Sequence, residues 1–368
     1  MTRFVPEAFL SPHVLELAGY QPGKLIEDVL EEMGLDSAVK LASNENALGP
    51  SPLALRAVAN ALPGLYRYGD ADSRRLREAI AQKVGHPAEG VMAGNGSSEF
   101  ILVMAHALLA PGLSAIMSRP SFTLYAKNAQ AAGAKAIEVA LTPSHGHDLA
   151  KILALADPSV RLVFIDNPLN PTGAFLSPEE IGDLLAGLPK TTLLVLDEAY
   201  ADFARAQRPD YPRLLSDGRV VILRTFSKIM GLAGLRAAYA LMDPELAKQL
   251  NKVRQPFNLN TLAQAGALAA LGDTEHAENT LDMTWRALEV IQKRLPEFGF
   301  RVFPTQANFV MAELPEGLSA DDFTKKMLRE GVIIRSLSSF GLPGHVRINA
   351  GLVYELEELF RAVGKCLG

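Results

Sequence analysis

The chain has 368 residues but only one cysteine, Cys366, and one tryptophan. A single cysteine excludes an intramolecular disulfide and a cysteine-based metal site, and it favours a reducing compartment. Lysine and arginine are scattered rather than clustered, and the formal net charge is -5. Charge therefore gives no reason to expect binding to nucleic acid or to an anionic membrane.

Long apolar runs are also missing. The longest, residues 100–110, is interrupted by His106 and is far shorter than the roughly 20 residues that cross a bilayer. The first residues carry no apolar core of the kind found in secretion signals. Hydrophobic residues make up 48% and charged residues 21%, as in an ordinary globular protein, and the length favours two domains. We therefore expect a cytoplasmic enzyme without a membrane or nucleic-acid partner.

The hydrophobic pattern predicts an α/β fold. Residues 1–50 are rich in proline and predict an N-terminal arm that includes part of a smaller domain. In residues 51–255, apolar segments alternate with helical stretches, which favours a large domain with a mostly parallel sheet between helices. The seven expected strands are 91–93, 113–117, 136–139, 160–165, 193–196, 220–223 and 237–241. Residues 256–368 predict the smaller α+β domain.

Helical periodicity predicts the elements between and after these strands. Ser73 is the expected N-cap of one of them, and Glu78 the expected partner of Arg74 or Arg75. The expected helices are 24–33, 52–61, 73–84, 100–109, 123–132, 178–185, 244–254, 262–270, 281–295, 320–330 and 353–367.

The most informative stretch is residues 219–236, RVVILRTFSKIMGLAGLR. Its apolar strand is followed by Ser227 and Lys228, and its glycine-bearing turn ends at Arg236. A hydroxyl and a guanidinium suit an anion such as phosphate. A free lysine is neutral in only about one molecule in 2,500 at pH 7, but burial or a neighbouring cation makes it a nucleophile. A solvated lysine at a strand end is the alternative.

Polar residues also follow the first predicted strand. Gly96, Ser97 and Ser98 lie between that strand and a helix, where backbone amides can receive a phosphate. The run resembles half of a dinucleotide fingerprint, but Glu99 occupies the position of the third glycine. A phosphate cup is therefore favoured over a dinucleotide site, with a plain turn as the alternative.

Two further strand ends carry polar groups. Asn170 lies in the loop 166–173, DNPLNPTG, whose prolines stiffen it and leave the asparagine amide available, although a structural turn is the alternative. Asp197 ends an apolar strand, where a carboxylate needs a cation or a strong donor, and Tyr200 can donate to the same ligand. No histidine or further carboxylate cluster lies nearby in the sequence, so a metal site is disfavoured.

One ligand would satisfy all of these groups, namely a phosphorylated pyridine aldehyde. Lys228 would bond to the aldehyde, and Asp197 would keep the ring nitrogen protonated. Asn170 and Tyr200 would hold the phenolic oxygen. The phosphate would be held by Ser97, Ser98, Ser227 and Arg236.

The motifs GNGSSE, PSF, NPxNPTG, DEAY, TFSK and GLAGLR occur in this order. This order resembles the fold-type-I pyridoxal-phosphate aminotransferases and, more narrowly, the histidinol-phosphate aminotransferases of class II, over nearly the whole chain. The resemblance implies a homodimer with pyridoxal 5′-phosphate as cofactor. It also implies a two-stage amino transfer between L-histidinol phosphate and 2-oxoglutarate in histidine biosynthesis, with Lys228 as the proton carrier.

The resemblance further implies roles for residues outside the strand ends. Phe122 would stack on the cofactor ring, and Tyr68 would reach the cofactor phosphate of the other subunit. The residues implied in substrate binding are Tyr20, Asn44, Arg335 and Arg347. Both arginines lie on or beside apolar strands and need an anion, although a structural salt bridge is the alternative.

Two positions depart from the family pattern, and rival functions stay open. Leu169 replaces a usual asparagine, and Gly69 replaces a usual proline beside Tyr68. An aromatic-amino-acid aminotransferase and a threonine-phosphate decarboxylase have similar sequences. A non-enzymatic cofactor-binding regulator would carry a DNA-binding domain, for which we expect no room before Ser43.

Overall fold

The structure, a computed structural model, describes residues 4–19 and 23–368. The helices are α1 (Pro12–Leu15), α2 (Ile26–Met33), α3 (Pro52–Ala61), α4 (Arg74–Val84), α5 (Ser97–Leu108), α6 (Leu124–Ala131), α7 (Leu149–Leu155), α8 (Pro178–Gly187), α9 (Tyr211–Leu215), α10 (Pro244–Leu250), α11 (Thr261–Ala270), α12 (Thr274–Arg294), α13 (Ala320–Arg329) and α14 (Val353–Leu367). The strands are β1 (Val39–Lys40), β2 (Val91–Asn95), β3 (Ser114–Arg119), β4 (Lys135–Ala140), β5 (Val160–Asp166), β6 (Leu193–Asp197), β7 (Val220–Thr225), β8 (Ala237–Leu241), β9 (Arg301–Val302), β10 (Phe309–Glu313), β11 (Val332–Ile333), β12 (Arg335–Ser336) and β13 (His345–Asn349).

The large sheet has seven strands in the order β2-β8-β7-β6-β5-β3-β4. Strands β7, β6, β5, β3 and β4 pair in parallel, and β8 runs antiparallel to β2 and β7. The predicted α/β fold with a mostly parallel seven-stranded sheet is confirmed. Because β5, β6 and β7 are neighbours, their carboxyl ends meet at one edge of the sheet, with Asp166 opposite Asp197.

Both faces of this sheet are covered, which explains why its central strands β5, β6 and β7 carry runs of apolar residues rather than an alternating pattern. Val163 and Ile222 point into the core on one face, and Phe164 and Leu223 into the core on the other. These side chains are almost fully buried. Each such burial stabilises the fold by about 1.5–3 kcal/mol.

A second, four-stranded antiparallel sheet has the order β12-β13-β10-β9. It shares a separate core with α12, α13 and α14, which contribute Leu288, Phe323 and Leu359. Strand β1, from the N-terminal arm, pairs in parallel with β11. The domain boundary after residue 255 stays a prediction, and α11 beyond it packs on α3.

The start of α4 agrees in part with what the sequence predicts. Ser73 is the N-cap residue of α4, but its backbone is left-handed and its side chain makes no capping bond. The carboxylate of Asp70 accepts the Arg74 amide hydrogen instead, at 2.8 Å. The predicted pair of Arg74 with Glu78 is present at 3.5 Å.

Helix α12 begins at Thr274 rather than at residue 281, because Asp273 caps it by accepting the His276 amide hydrogen. The short helices α7 and α9, which sequence periodicity did not predict, are capped by Asp148 and Asp210. No helix in the described ranges is long and apolar enough to cross a bilayer.

Candidate active site

Lys228 lies just beyond the end of β7, at the edge where the parallel strands end. Its Nζ donates to the carbonyl oxygen of Ser43 at 3.1 Å and lies 5.6 Å from the ring centroid of Tyr200. Burial, together with the cations Arg347 and Arg236, lowers the pKa of Lys228 to about 8. About one molecule in ten then carries a neutral amine at pH 7. Lys228 is half-buried and hydrogen-bonded, which favours the nucleophile over a fully solvated lysine.

Asp197 ends β6 and is almost fully buried, with 4% of its surface exposed. Its Oδ2 accepts the hydroxyl hydrogen of Tyr125 at 2.9 Å, and its Oδ1 accepts the Ala199 amide hydrogen at 3.1 Å. Burial raises the pKa of Asp197 to about 6, and the bond from Tyr125 opposes that rise. The group is therefore mostly a carboxylate at neutral pH and can pair with a protonated ring nitrogen.

The loop after β5, the second sheet and the N-terminal arm converge beside Lys228. Arg347, on β13, donates to the side-chain oxygen of Asn170 and, at 2.7 Å, to the carbonyl oxygen of Ala42. Asn44 donates through Nδ2 to the Tyr200 hydroxyl at 2.9 Å. These bonds form two pairs of predicted site residues near the lysine, Arg347 with Asn170 and Asn44 with Tyr200.

The predicted phosphate cup is built by Gly96, the start of α5 and Arg236. Gly96 has a φ of 78°, and a Cβ there would lie 2.4 Å from Nη2 of Arg236. Only glycine therefore allows the guanidinium to approach this turn. The first amides of α5, which begins at Ser97 and Ser98, have no partner within the helix and lie at the positive end of its dipole.

Ser227 is held beside Lys228 by a residue that the sequence analysis did not single out. The Thr225 hydroxyl donates to the Ser227 hydroxyl at 3.0 Å and accepts the Ser227 amide hydrogen at 3.1 Å. Ser227 is buried, so its hydroxyl has a fixed position rather than a free rotor. A fixed hydroxyl next to the lysine suits one oxygen of a phosphate.

Two residues near the site, a tyrosine and an aspartate, were missed by the sequence analysis. Tyr125, which bonds to Asp197, lies three residues after Phe122 on α6, and this spacing was the available signal. Asp166 accepts the Asn170 amide hydrogen at 2.9 Å. Burial raises the pKa of Asp166 well above its ordinary value. Asp166 could have been recognised in the sequence in the same way as Asp197, because each is an acid at the end of an apolar strand.

Other predicted residues lie at or beyond the margin of this group. The Phe122 ring meets Tyr125 edge-on at 5.6 Å. Arg335 is the register partner of Arg347, and its guanidinium lies 5.8 Å from the Phe340 ring. Tyr68 is 85% exposed, so the site of its own chain does not enclose it. The predicted substrate residue Tyr20 lies outside the described residues.

These residues fit pyridoxal phosphate. The cup supplies donors for a phosphate, Asp197 supplies a carboxylate for the ring nitrogen, and Lys228 supplies a partly neutral amine for the aldehyde. Asn44 Oδ1 is buried and has no hydrogen-bond partner in the described chain, so a ligand can satisfy it.

The sequence profile of the family described as "Aminotransferase class I and II" matches residues 36–363. The match spans nearly the whole chain, including both sheets and every strand end of the site. The chain belongs to this family, and pyridoxal 5′-phosphate is its cofactor.

Its relatives narrow the assignment. A histidinol-phosphate aminotransferase of Anaeromyxobacter sp. (strain Fw109-5) is 41% identical over 365 residues, covering 97% of this chain and 98% of the relative. One from Desulfotalea psychrophila is 41% identical, covering 95% and 92%. The crystal structure of the Sinorhizobium meliloti histidinol-phosphate aminotransferase with pyridoxal 5′-phosphate superposes with a TM-score of 0.89 at 26% identity, covering 98% of both chains. Within its class, the chain falls in the histidinol-phosphate aminotransferase family.

Proposed function

We propose that this aminotransferase moves an amino group between L-histidinol phosphate and 2-oxoglutarate, with imidazole-acetol phosphate and glutamate as the partner compounds, in histidine biosynthesis. One observation carries the proposal. The charges of the strand-end carboxylate Asp197 and of a buried cation, Arg347, from the second sheet both act on a partly neutral Lys228. The relatives that share about two fifths of its residues bear the name of this activity.

The residues of the chain have separate tasks in this reaction. When bound, the cofactor supplies an electron sink for the negative charge that develops at the substrate carbon. Lys228, with a pKa of about 8, accepts the proton from that carbon and returns it to the neighbouring position. Asp197 keeps a negative charge beside the ring nitrogen, and Tyr200 and Asn170 donate hydrogen bonds at the phenolic side.

Substrate recognition is assigned to the arginines. Arg347 is held by Asn170 and by the Ala42 carbonyl oxygen, so its charge is fixed next to the lysine and can anchor an anionic group. Arg335 lies opposite it on β12 and adds a second positive charge on the same sheet. Asn44 and Tyr20 are proposed to complete the substrate site from the N-terminal arm.

A homodimer is part of the proposal. Large apolar side chains between α3 and α4 are exposed in the single chain, with Leu65 51%, Tyr66 77% and Tyr68 85% exposed. Exposed apolar patches of this kind are typical of interfaces between proteins. We propose that a second copy covers them and that Tyr68 reaches the cofactor phosphate of the neighbouring subunit. The cytoplasm as the place of action stays a prediction.

The substrate assignment is tested by comparing kcat/KM for L-histidinol phosphate, L-histidinol and L-phenylalanine with 2-oxoglutarate as acceptor. We expect the phosphate compound to be preferred. Arg347→Gln should lower its kcat/KM by roughly 10- to 100-fold, since a charged hydrogen bond contributes about 1.5–3 kcal/mol. Arg335→Gln is the matched variant, and a smaller loss there would assign the main anchor to Arg347.

Other outcomes would contradict the assignment. A preference for phenylalanine would favour an aromatic-amino-acid aminotransferase. Release of carbon dioxide from threonine phosphate, without amino transfer, would favour the decarboxylase.

A further inference from the structure

A cavity outside the proposed active site lies next to the residues that follow Lys228. It lies against the residues of β7 and β8 that face away from Asp197. Its volume is about 480 Å³, and we call it the Arg224 cavity. Small-molecule sites usually have volumes of about 300–1,000 Å³. Lys228, Asp197 and Arg347 do not line this cavity, so the proposed reaction leaves it without a role.

The floor of the Arg224 cavity is preformed. Arg224 donates to Glu198 at 3.2 Å and to the Tyr211 hydroxyl at 2.7 Å, and it also binds Asp202. The Tyr211 hydroxyl donates to the same Glu198 carboxylate. Because these partners fix one another, the floor does not need to reorganise when a ligand binds.

The charges around the cavity leave an excess of one positive charge. The two anions, Asp202 and Glu198, are already engaged by Arg224. Two further cations stand at the rim, Lys83 at the end of α4 and Arg208 in the loop before α9. Arg208 lies 3.6 Å from Asp202, and its side chain is 45% exposed, so it remains accessible to a ligand. Three cations against two anions suit a ligand with a single negative charge.

Apolar side chains form about half of the cavity surface. Val84, Phe226, Ile229 and Met230 contribute hydrocarbon surface, and Tyr239 contributes an aromatic ring with a hydroxyl. We infer that the Arg224 cavity binds a small monocarboxylate with an apolar body. The carboxylate would meet the cations Lys83 and Arg208, and the body would lie against Phe226 and Met230.

The walls also connect this cavity to the lysine. Ile229 and Met230 directly follow Lys228, and their carbonyl oxygens accept hydrogen bonds of 3.0 Å from Asn46 and from the Ser51 amide. The same N-terminal segment supplies the Ser43 carbonyl oxygen that holds the lysine Nζ. A ligand in contact with Ile229 and Met230 would therefore act on the backbone that follows Lys228. It would also act, through the hydrogen bonds to Asn46 and Ser51, on the N-terminal segment that holds the lysine Nζ. Occupation of the cavity is expected to change kcat/KM for amino transfer, since coupling between two sites typically amounts to about 5- to 150-fold.

The test uses phenylacetate as the probe and the full chain loaded with its cofactor. Isothermal titration calorimetry should detect one phenylacetate per chain. Arg208→Gln and Lys83→Gln, which change different elements of the rim, should each weaken binding by about tenfold. Both variants should keep normal amino transfer without phenylacetate. Arg347→Gln, in the active site, should bind phenylacetate as the wild type does.

Four results would overturn the inference. Phenylacetate binding that is lost in Arg347→Gln but retained in Arg208→Gln would assign the probe to the active site. Equal binding of the neutral phenylacetamide, or no binding heat at millimolar phenylacetate, would contradict a carboxylate site. Binding that leaves kcat/KM unchanged would contradict the connection to Lys228. The calorimetric result does not depend on the identity of the substrate. Failure of the Arg224 cavity proposal can therefore be distinguished from failure of the proposed function.

Discussion

The chemistry of single residues in this site is decided by opposed electrostatic effects. Burial and the positive charges of Arg347 and Arg236 lower the pKa of Lys228, while the carboxylates of Glu45 and Asp197 raise it, and burial is the largest effect. The result, about 8, lies close to neutral pH, where a group can both accept and return a proton. Removing any one of these four charges should therefore change the pKa of Lys228.

The pH dependence of cofactor loading tests this balance. The rate at which apoenzyme takes up pyridoxal phosphate should rise with pH through about 8, because the neutral amine is the reactive form. Arg347→Gln removes a cation that lowers the lysine pKa, so its midpoint should move to higher pH. Stopped-flow absorbance measures both, with Arg335→Gln as the matched control. An unchanged midpoint in Arg347→Gln would contradict the balance.

The hydrogen bond from Tyr125 to Asp197 gives a second prediction. Tyr125→Phe removes a donor that lowers the carboxyl pKa, so the pKa of Asp197 should rise further above about 6. The cofactor should then dissociate more readily, by roughly 10- to 100-fold for a lost charged bond of about 1.5–3 kcal/mol, and more so at pH 6 than at pH 8. Equilibrium dialysis measures the affinity. Tyr354→Phe, on the exposed surface of α14, is the control. Equal losses at both pH values would show that the bond does not act through protonation.

Residues of the site differ in how visible they were in the sequence. Lys228, Asp197 and Asn170 were predictable because each follows an apolar strand, and parallel strands end at one edge of the sheet. Tyr125 and Asp166 were missed although each left a signal in the sequence, Tyr125 in its spacing from Phe122 and Asp166 as an acid at the end of an apolar strand. The roles of Asn44, Arg335 and Arg347 came from resemblance and stay predictions.

At the scale of elements, one turn determines the shape of the phosphate cup. Gly96 joins β2 to α5 and lies directly against the Arg236 guanidinium. The turn therefore sets both the direction of the helix amides and the position of the arginine. A side chain at this position cannot be accommodated without displacing Arg236.

Gly96→Ala tests the role of this turn. The added Cβ would lie 2.4 Å from Arg236 Nη2, so we expect cofactor affinity to fall at least tenfold. Gly112→Ala is a matched control, because Gly112 also has a positive φ, of 89°, but open space at its Cβ position. Both changes strain the backbone by about 1–2 kcal/mol, so thermal stability should fall similarly while only Gly96→Ala loses cofactor. Equal affinity in the two variants would contradict the cup.

Elements were predictable to the extent that their periodicity was strong. The seven strands of the large sheet were all expected, because buried parallel strands are short apolar runs. Their antiparallel member, β8, was not distinguished, since direction leaves no mark on such a run. The early start of α12 was missed because its first turns are polar and the capping signal of Asp273 was not used.

At the scale of the whole molecule, the single chain exposes large apolar side chains to solvent. They include Leu62, Leu65, Tyr66 and Tyr68, all between α3 and α4. The Tyr68 ring lies tilted against the Phe257 ring, at 4.7 Å between centroids, and remains largely exposed. No periodicity in one chain can predict what a second copy covers, which is why this part of the site rests on the proposed dimer.

Sedimentation velocity tests the dimer. The wild type should sediment as a dimer at micromolar concentration, and Leu65→Asp should weaken it because a charge would be buried at the interface. Val353→Asp is the control, since Val353 is 75% exposed on α14, at a distant element. A wild-type monomer would contradict the proposal, as would equal effects of the two variants.

The central claim is that Lys228 and its neighbours transfer the amino group of L-histidinol phosphate. Its most direct test is the absorbance of the purified enzyme loaded with pyridoxal phosphate, recorded before and after adding L-histidinol phosphate and then 2-oxoglutarate. We predict that the band of the bound cofactor converts to that of its amine form and then returns, and that Lys228→Ala loses turnover by a factor of about 10² to 10⁴ or more. A band that responds only to phenylalanine or tyrosine, or a Lys228→Ala variant with near-normal activity, would contradict the claim.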